Sequence, residues 1–374
     1  MNILFVYQNW LNPNRGGVGR VADSLAMYLV QNGHRVYYLM HEYDENDTYK
    51  FPAQIFTLPH GDFFSATNVQ FYHHVLHEKH IDIVLNHDAS NERSKFWLET
   101  GASKARKVSL YHTDPLHGLN RNMRLGKVVQ ICVKALKIFG YRKVIGTLLK
   151  NSDKLVLLSQ EFKKNMSKEL KINSSKIVAI SNPCVFEEVK FNNPKKKQIL
   201  FVGRLDWSSK RPDIMLRIWS HLYRIYSDWE LLVLGDGPDR VKTQELAREL
   251  KLERIFFKGF VKPEPFYKEA SIICLTSDYE GFGLVMPEAM QYGVVPIAFN
   301  NWPSLKDIVV DGENGVIARQ NDIPDFVAKL ELLMSDATQR ASIALRAKDS
   351  VKKFHIGVIG PQWIELFKTS IKNG

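Results

Sequence analysis

The chain is poor in cysteine, with only Cys132, Cys184 and Cys274 among 374 residues. No two stand at metal-ligand spacing, and so odd and sparse a set argues against a disulfide framework and for a reducing compartment. No uninterrupted apolar run reaches the ~18–20 residues needed to cross a bilayer. The opening, Met1-Asn-Ile-Leu-Phe-Val-Tyr7, has no basic stretch before it, and its apolar run is too short for a secretory signal. A cytoplasmic protein is expected, soluble or peripheral on the inner face of the membrane. Repeats and low-complexity tracts are also missing. What the chain has in excess is positive charge: 51 Lys and Arg against 40 Asp and Glu, or +11, concentrated in residues 1–190. Such a surface favours anionic partners. Nucleic acid fits poorly, because the basic residues are not interleaved with aromatic stacking platforms.

Hydrophobic residues make up 45% of the chain, enough for real cores, and at ~100–200 residues per domain the length suggests two. Strand-like and helix-like segments alternate, the mark of a parallel α/β sheet. Residues 2–7, 34–40, 81–86, 107–111, 154–158 and 176–180 read as strands, and 18–31 reads as a helix ended by Gly33. The stretch 186–197 is polar, charged and broken by Pro194, and reads as a linker. Then the pattern restarts, with strands at 199–202, 230–234, 255–258, 272–275 and 295–298 and helices at 212–226, 240–250 and 287–292. The tail, 322–371, looks all-helical. The expected organisation is a domain over 1–190, a second over 191–354, and a terminal helix over 355–374 that packs on its own domain or crosses to the first. Ligands of open α/β sheets bind beyond the carboxyl ends of the strands, so a ligand in a cleft between two such domains would touch loops from both.

Three loops could carry chemistry. Gly16-Gly17-Val18-Gly19 lies between the first strand and first helix, where bare backbone N–H groups suit a phosphate. Read as Gly17-x-Gly19-x-x-Ala22 it also matches a dinucleotide fingerprint, but about eight residues separate the strand from the first glycine, where that fingerprint needs a tight turn. Gly203-Arg204 and Lys210 sit on a strand-to-helix loop, where two cations can neutralise a diphosphate as it leaves. Last, Asp278-Tyr-Glu280-Gly281-Phe282-Gly283-Leu284 leads through Pro287 to Glu288. Flexible glycines let backbone approach a ligand, the N–H groups of Gly283 and Leu284 would face it, and a helical carboxylate at 288 could accept two ribose hydroxyls.

Together these segments resemble the GT-B glycosyltransferases, most closely the retaining family 4 (glycosyl transferases group 1) type. The resemblance runs over nearly the whole chain and includes Leu234-Gly-Asp-Gly-Pro238, Lys258-Gly259-Phe260 and Asp311-Gly-Glu-Asn-Gly-Val316. It implies an α/β GT-B fold, two Rossmann-like domains with parallel sheets facing across an interdomain cleft, and a nucleotide-sugar donor, commonly a UDP-sugar. On this resemblance Arg204 and Lys210 would hold the diphosphate, Glu280 the donor sugar's hydroxyls and Glu288 the ribose. Gly16 and Gly17 would approach the phosphates, and backbone around Gly259 and Phe260 the base. The family also places a histidine after a first-domain strand. His112, in Tyr111-His112-Thr113-Asp114, has that position, whereas His117 does not. No cofactor and no metal are expected: there is no Asp-x-Asp for a bridging Mg²⁺.

Residues 115–152 hold no acid but contain Arg121, Arg124, Lys127, Lys134, Lys137, Arg142, Lys143 and Lys150. On a helical wheel Leu125, Val128, Val129, Cys132, Leu136 and Phe139 oppose Lys127, Gln130, Lys134 and Lys137. That pattern suits an anionic membrane surface, or a core-packed helix with solvated lysines. A lipid-linked, lipopolysaccharide or other glycan acceptor would fit the first. Competing functions are a GT-B-shaped UDP-sugar isomerase or epimerase, an NAD-dependent oxidoreductase read from the glycine fingerprint, and a non-enzymatic nucleotide-binding protein. The oxidoreductase reading leaves Glu280 and Glu288 unexplained.

Overall fold

The computed structural model describes residues 1–42, 44, 46–90, 92–99, 103–119, 127–184 and 195–372. Most of the expected linker, and Arg121, Arg124 and Leu125 of the basic segment, lie outside the described residues. The chain divides into two compact units, Met1–Cys184 with His355–Gly374, and Val185–Phe354.

The first unit is built on a seven-stranded sheet. Its strands are β1 (Asn2–Tyr7), β2 (Arg35–Met40), β3 (Gln54–Thr57), β4 (Ile83–Asn86), β5 (Arg106–Tyr111), β6 (Lys154–Leu157) and β7 (Ile177–Ala179). Their order is β3-β2-β1-β4-β5-β6-β7, with every pairing parallel. Ile3, Leu4, Phe5 and Val6 are all fully buried, as expected of a parallel strand covered on both faces. The order of connection reverses between β1 and β4, which opens a crevice at the carboxyl ends of those two strands. The helix Gly17–Gln31 buries Val21, Ala22, Leu25, Ala26 and Leu29 on one face, and Gly33, at φ 80°, turns the chain out of it. The terminal helix Ile356–Lys372 belongs to this unit and packs on Gly17–Gln31. A Cβ at Gly360 would lie 2.3 Å from the Tyr28 ring, so glycine there sets the close approach. Trp363, Leu366 and Phe367 are buried beside it.

The second unit holds β8 (Lys196–Val202), β9 (Glu230–Leu234), β10 (Ile255–Gly259), β11 (Ala270–Leu275), β12 (Val295–Phe299) and β13 (Val316–Ala318). The order is β10-β9-β8-β11-β12-β13, again with parallel pairings. Here the reversal falls between β8 and β11. Trp219, Trp229, Phe299 and Phe326 are among the large side chains of the core on this sheet. Among the described residues no helix is long and apolar enough to cross a membrane.

Candidate functional site

In the second unit the crevice between β8 and β11 is bounded by the loops 203–211 and 276–284, which carry Arg204, Lys210 and Glu280. The two loops are tied to each other. Asp278 N–H donates to Ser209 O at 2.8 Å, Thr276 Oγ1 donates to Arg211 O at 2.9 Å, and Arg211 pairs with Asp278 at 3.2 Å and Asp213 at 3.0 Å. Across them Lys210 Nζ donates to both carboxylate oxygens of Glu280 at 2.6 Å. Ser277 Oγ donates to the same carboxylate at 2.8 Å. Glu280 is buried, while the Lys210 side chain keeps 29% of its surface. The cation of this pair therefore remains within reach of an incoming anion. Arg204 is exposed on the same loop, acts on Asp206, and stands outside the ion-pair network.

Glycine permits the backbone of this crevice to close. A Cβ at Gly235 would fall 1.9 Å from Gly203 O, and one at Gly237 2.5 Å from Leu205 O. Gly203 N–H donates to Leu234 O at 3.0 Å and Gly235 N–H to Gly259 O at 2.7 Å, so the ends of β8, β9 and β10 meet. Phe260, the next residue, is 74% exposed, an aromatic face open to a planar ligand. Gly283, at φ 80°, turns the loop after Glu280 into the helix Val285–Met290, with Leu284 at its cap position and Glu288 in its first turn. One carboxylate oxygen of Glu288 is fully buried. Phe282 is also buried and stacks edge-on against Phe354 with centroids 5.2 Å apart. Its side chain therefore anchors the loop, and what Phe282 can offer a ligand is backbone. Gly281 O accepts from Ser304 Oγ at 3.0 Å.

In the first unit the crevice between β1 and β4 collects Gly16 and Gly17 from one loop and the end of β4 from the other. Gly16 is extended and caps the helix Gly17–Gln31, with open space where its Cβ would be. The sterically required glycine of this loop is Gly19, whose Cβ would lie 2.2 Å from Asn12 O. His112 directly follows β5. Its Nε2 lies 2.8 Å from Nδ1 of His87, the residue directly after β4, and the two rings are nearly parallel, at 13°, with centroids 5.1 Å apart. Burial pushes the His112 imidazole down to about 3. His87, more deeply buried and beside His112, is pushed well below its ordinary value. Both rings are neutral. Burial also raises the Asp114 carboxyl to about 6, against the backbone N–H of Leu116 that lowers it. Sequence reasoning missed His87. Its signal was a polar residue directly after the apolar run of β4, the same strand-end position that singled out His112.

The helix Lys127–Asn151 turns its two faces opposite to simple amphipathic packing. Lys134 pairs with Glu169 at 3.0 Å, Lys137 donates to Gly118 O at 2.7 Å and Arg142 to Leu170 O at 2.8 Å. Meanwhile Val129, Leu136 and Phe139 stand 49%, 71% and 71% exposed. The apolar stripe does not pack on the core. Among the described residues no cluster of three or more His, Cys, Asp or Glu could hold a metal ion.

Two parallel sheets, each with loops gathered at the reversal of strand order, match the GT-B class of α/β proteins. Over 99% of its length the chain superposes on the Anabaena HepE protein, solved in complex with UDP and glucose, with TM-score 0.77, 17% identity and all of that chain covered. Residues 15–187 match the family described as Glycosyltransferase Family 4, and residues 186–350 match Glycosyl transferases group 1. The chain belongs to this group 1, family 4 type of GT-B glycosyltransferases. An uncharacterized glycosyltransferase of Haemophilus influenzae is 33% identical over 214 residues, 56% of this chain and 60% of that protein. The GalNAc-alpha-(1->4)-GalNAc-alpha-(1->3)-diNAcBac-PP-undecaprenol alpha-1,4-N-acetyl-D-galactosaminyltransferase of Campylobacter jejuni is 28% identical over 202 residues, 53% and 56% of the two chains. The chain thus aligns with somewhat over half the length of these curated relatives.

Proposed function

We propose that this protein moves a hexosyl unit from a UDP-sugar to a lipid-linked or surface-polysaccharide acceptor, with retention of configuration and without a metal. The observation that carries the reading is the Lys210–Glu280 pair at the reversal point of the second unit. Breaking the bond between the anomeric carbon and the phosphate oxygen leaves its electron pair on the diphosphate. A preorganised cation beside that oxygen is the strongest single stabiliser such a site can offer. Lys210 fills this role, with Arg204 beside it. As the donor sugar binds, its hydroxyls donate to Glu280 and the Lys210 ammonium turns from the carboxylate to the diphosphate. Glu288 accepts the ribose hydroxyls, and the exposed ring of Phe260 and the backbone at Gly259 meet the base. The N–H groups at Gly283 and Leu284 add to the phosphate field. His112 hydrogen-bonds the sugar. The acceptor oxygen attacks on the leaving-group face and passes its proton to a phosphate oxygen, so no side-chain base is needed.

Support for the sugar nucleotide comes from the solved HepE complex with UDP and glucose, and for a lipid-linked acceptor from the undecaprenol-linked acceptor named for the Campylobacter relative. The solvent-facing stripe of Val129, Leu136 and Phe139, with exposed Lys143 and Lys150 on the same helix, suits docking on an anionic inner leaflet. The test is transfer from UDP-sugars to polyprenyl-linked acceptor. Lys210→Ala should lower turnover ~10²–10³-fold, as for loss of one oxyanion donor, and Glu288→Ala should weaken UDP binding by ~1.5–3 kcal/mol in calorimetry. Unchanged turnover in folded Lys210→Ala refutes the assignment, and sugar conversion without acceptor would mark an isomerase.

A further inference from the structure

His87 and His112 lie 25 residues apart in sequence. The parallel pairing of β4 with β5, which places Asn86 opposite Ser109, brings the residues beyond the two strand ends together. Their shared hydrogen bond joins His87 Nδ1 to His112 Nε2 at 2.8 Å, and one of the two nitrogens must donate. Among the described residues His87 Nε2 is buried with no hydrogen-bond partner, and that decides the direction. If His112 donated, a neutral His87 would carry its only proton on Nε2, as a buried N–H with nothing to accept it. If His87 donates from Nδ1, the buried Nε2 carries only a lone pair. Among buried backbone groups an orphaned N–H is rarer than an under-satisfied oxygen, and the same asymmetry favours leaving the lone pair unpaired here. Burial keeps both rings neutral, so no doubly protonated form escapes this choice.

We propose that His87 is a positioning residue that locks His112 as its Nδ1–H tautomer, so that His112 offers a ligand a hydrogen-bond donor and not an acceptor. The tautomer of a histidine is set by the bond its other nitrogen makes. Among the described residues His112 has no hydrogen bond besides that to His87, which leaves Nδ1–H for an oxygen lone pair such as that of a sugar hydroxyl. That last step rests on the glycosyl-transfer reading above. The lock itself does not.

The experiment is a two-bond ¹H–¹⁵N correlation on the full chain labelled with ¹⁵N-histidine, with His112 assigned by the signal missing from His112→Gln. The expected result is a protonated Nδ1 and a lone-pair Nε2 on His112, unchanged across the neutral pH range, with a through-hydrogen-bond coupling to His87 Nδ1. In His87→Phe, which keeps a ring but removes the donor, the His112 signals should move toward the Nε2–H form. A wild-type His112 protonated on Nε2 overturns the proposal and needs no variant to fold. So does an unaltered tautomer in folded His87→Phe. Absence of any transferase activity alongside the expected tautomer would sink the functional reading alone.

Discussion

Glu280 is a carboxylate with 7% of its surface exposed, held by Ser277 and Lys210. Burying a charge is tolerated only when it is paired, and removing one partner of such a pair costs ~3–5 kcal/mol because the other is left unsolvated. Lys210→Ala should therefore lower stability as well as turnover. Lys210→Met combined with Glu280→Gln should recover most of the stability, since the charge that needs compensation is gone, while turnover stays low. Urea unfolding of the two variants separates the effects. If the double variant is no more stable than Lys210→Ala, the pair is not the reason for the loss. His112 gives a second prediction, in pH. Its folded value is depressed from 6.5 to about 3, so below 6.5 the unfolded chain binds the extra proton and stability falls as pH falls. At ~1.4 kcal/mol per unit, the contribution lost on going from neutral pH to pH 5 is about 2 kcal/mol. Asp114 acts with the opposite sign: its raised carboxyl favours the folded state as pH drops from about 6 toward its ordinary value. The comparison must therefore be wild type against His112→Gln. The variant should lose about 2 kcal/mol less stability between pH 7.5 and pH 5, and parallel pH profiles would contradict a neutral His112.

The helix Lys127–Asn151 shows how a correct periodicity can leave the outcome open. The wheel separated apolar from basic positions, but which side meets the protein depends on partners far along the chain. Glu169, Leu170 O and Gly118 O draw Lys134, Arg142 and Lys137 inward. The apolar stripe is left facing solvent. Exposed side chains contribute little to folding, so Leu136→Gln with Phe139→Gln should change stability by no more than about 0.5 kcal/mol. Membrane binding should respond strongly. Burying a Leu or Phe side chain contributes roughly 1.5–3 kcal/mol, so partition onto anionic vesicles should fall at least about tenfold. Equal co-sedimentation of wild type and variant would remove this stripe from the docking surface. Shorter elements failed to register in the sequence for a simpler reason. β3 and β13 are short edge strands, only partly buried, and show no clear pattern, whereas β1, β4 and β11 announce themselves as apolar runs because both faces are covered.

At the scale of the molecule, the two α/β repeats were readable from alternating segments, and the loops that carry Lys210 and Glu280 from their places after strands. The partnership between those residues was not readable, since it spans 70 positions and depends on β8 and β11 being neighbours in the sheet. The same holds for the route of the chain, which leaves the first unit after Cys184 and returns at His355. Those two residues form a parallel bridge, and neighbouring strands lie only ~4.8 Å apart. The whole second unit is thus inserted between adjacent points of the first. A Gly/Ser linker of about six residues, with a reach of ~13 Å, should replace residues 185–354 and leave a first unit that melts in one cooperative transition. The opposite cut should fail. A chain ending at residue 354 loses Trp363, Leu366 and Phe367, all buried in the first unit. At ~1.5–3 kcal/mol each, that loss rivals the ~5–15 kcal/mol by which a domain is stable. Circular dichroism on heating distinguishes the cases. A first-unit transition that survives truncation at 354 would show that the terminal helix is not part of its fold, and a linked first unit with no cooperative transition would show that this unit does not fold without residues 185–354.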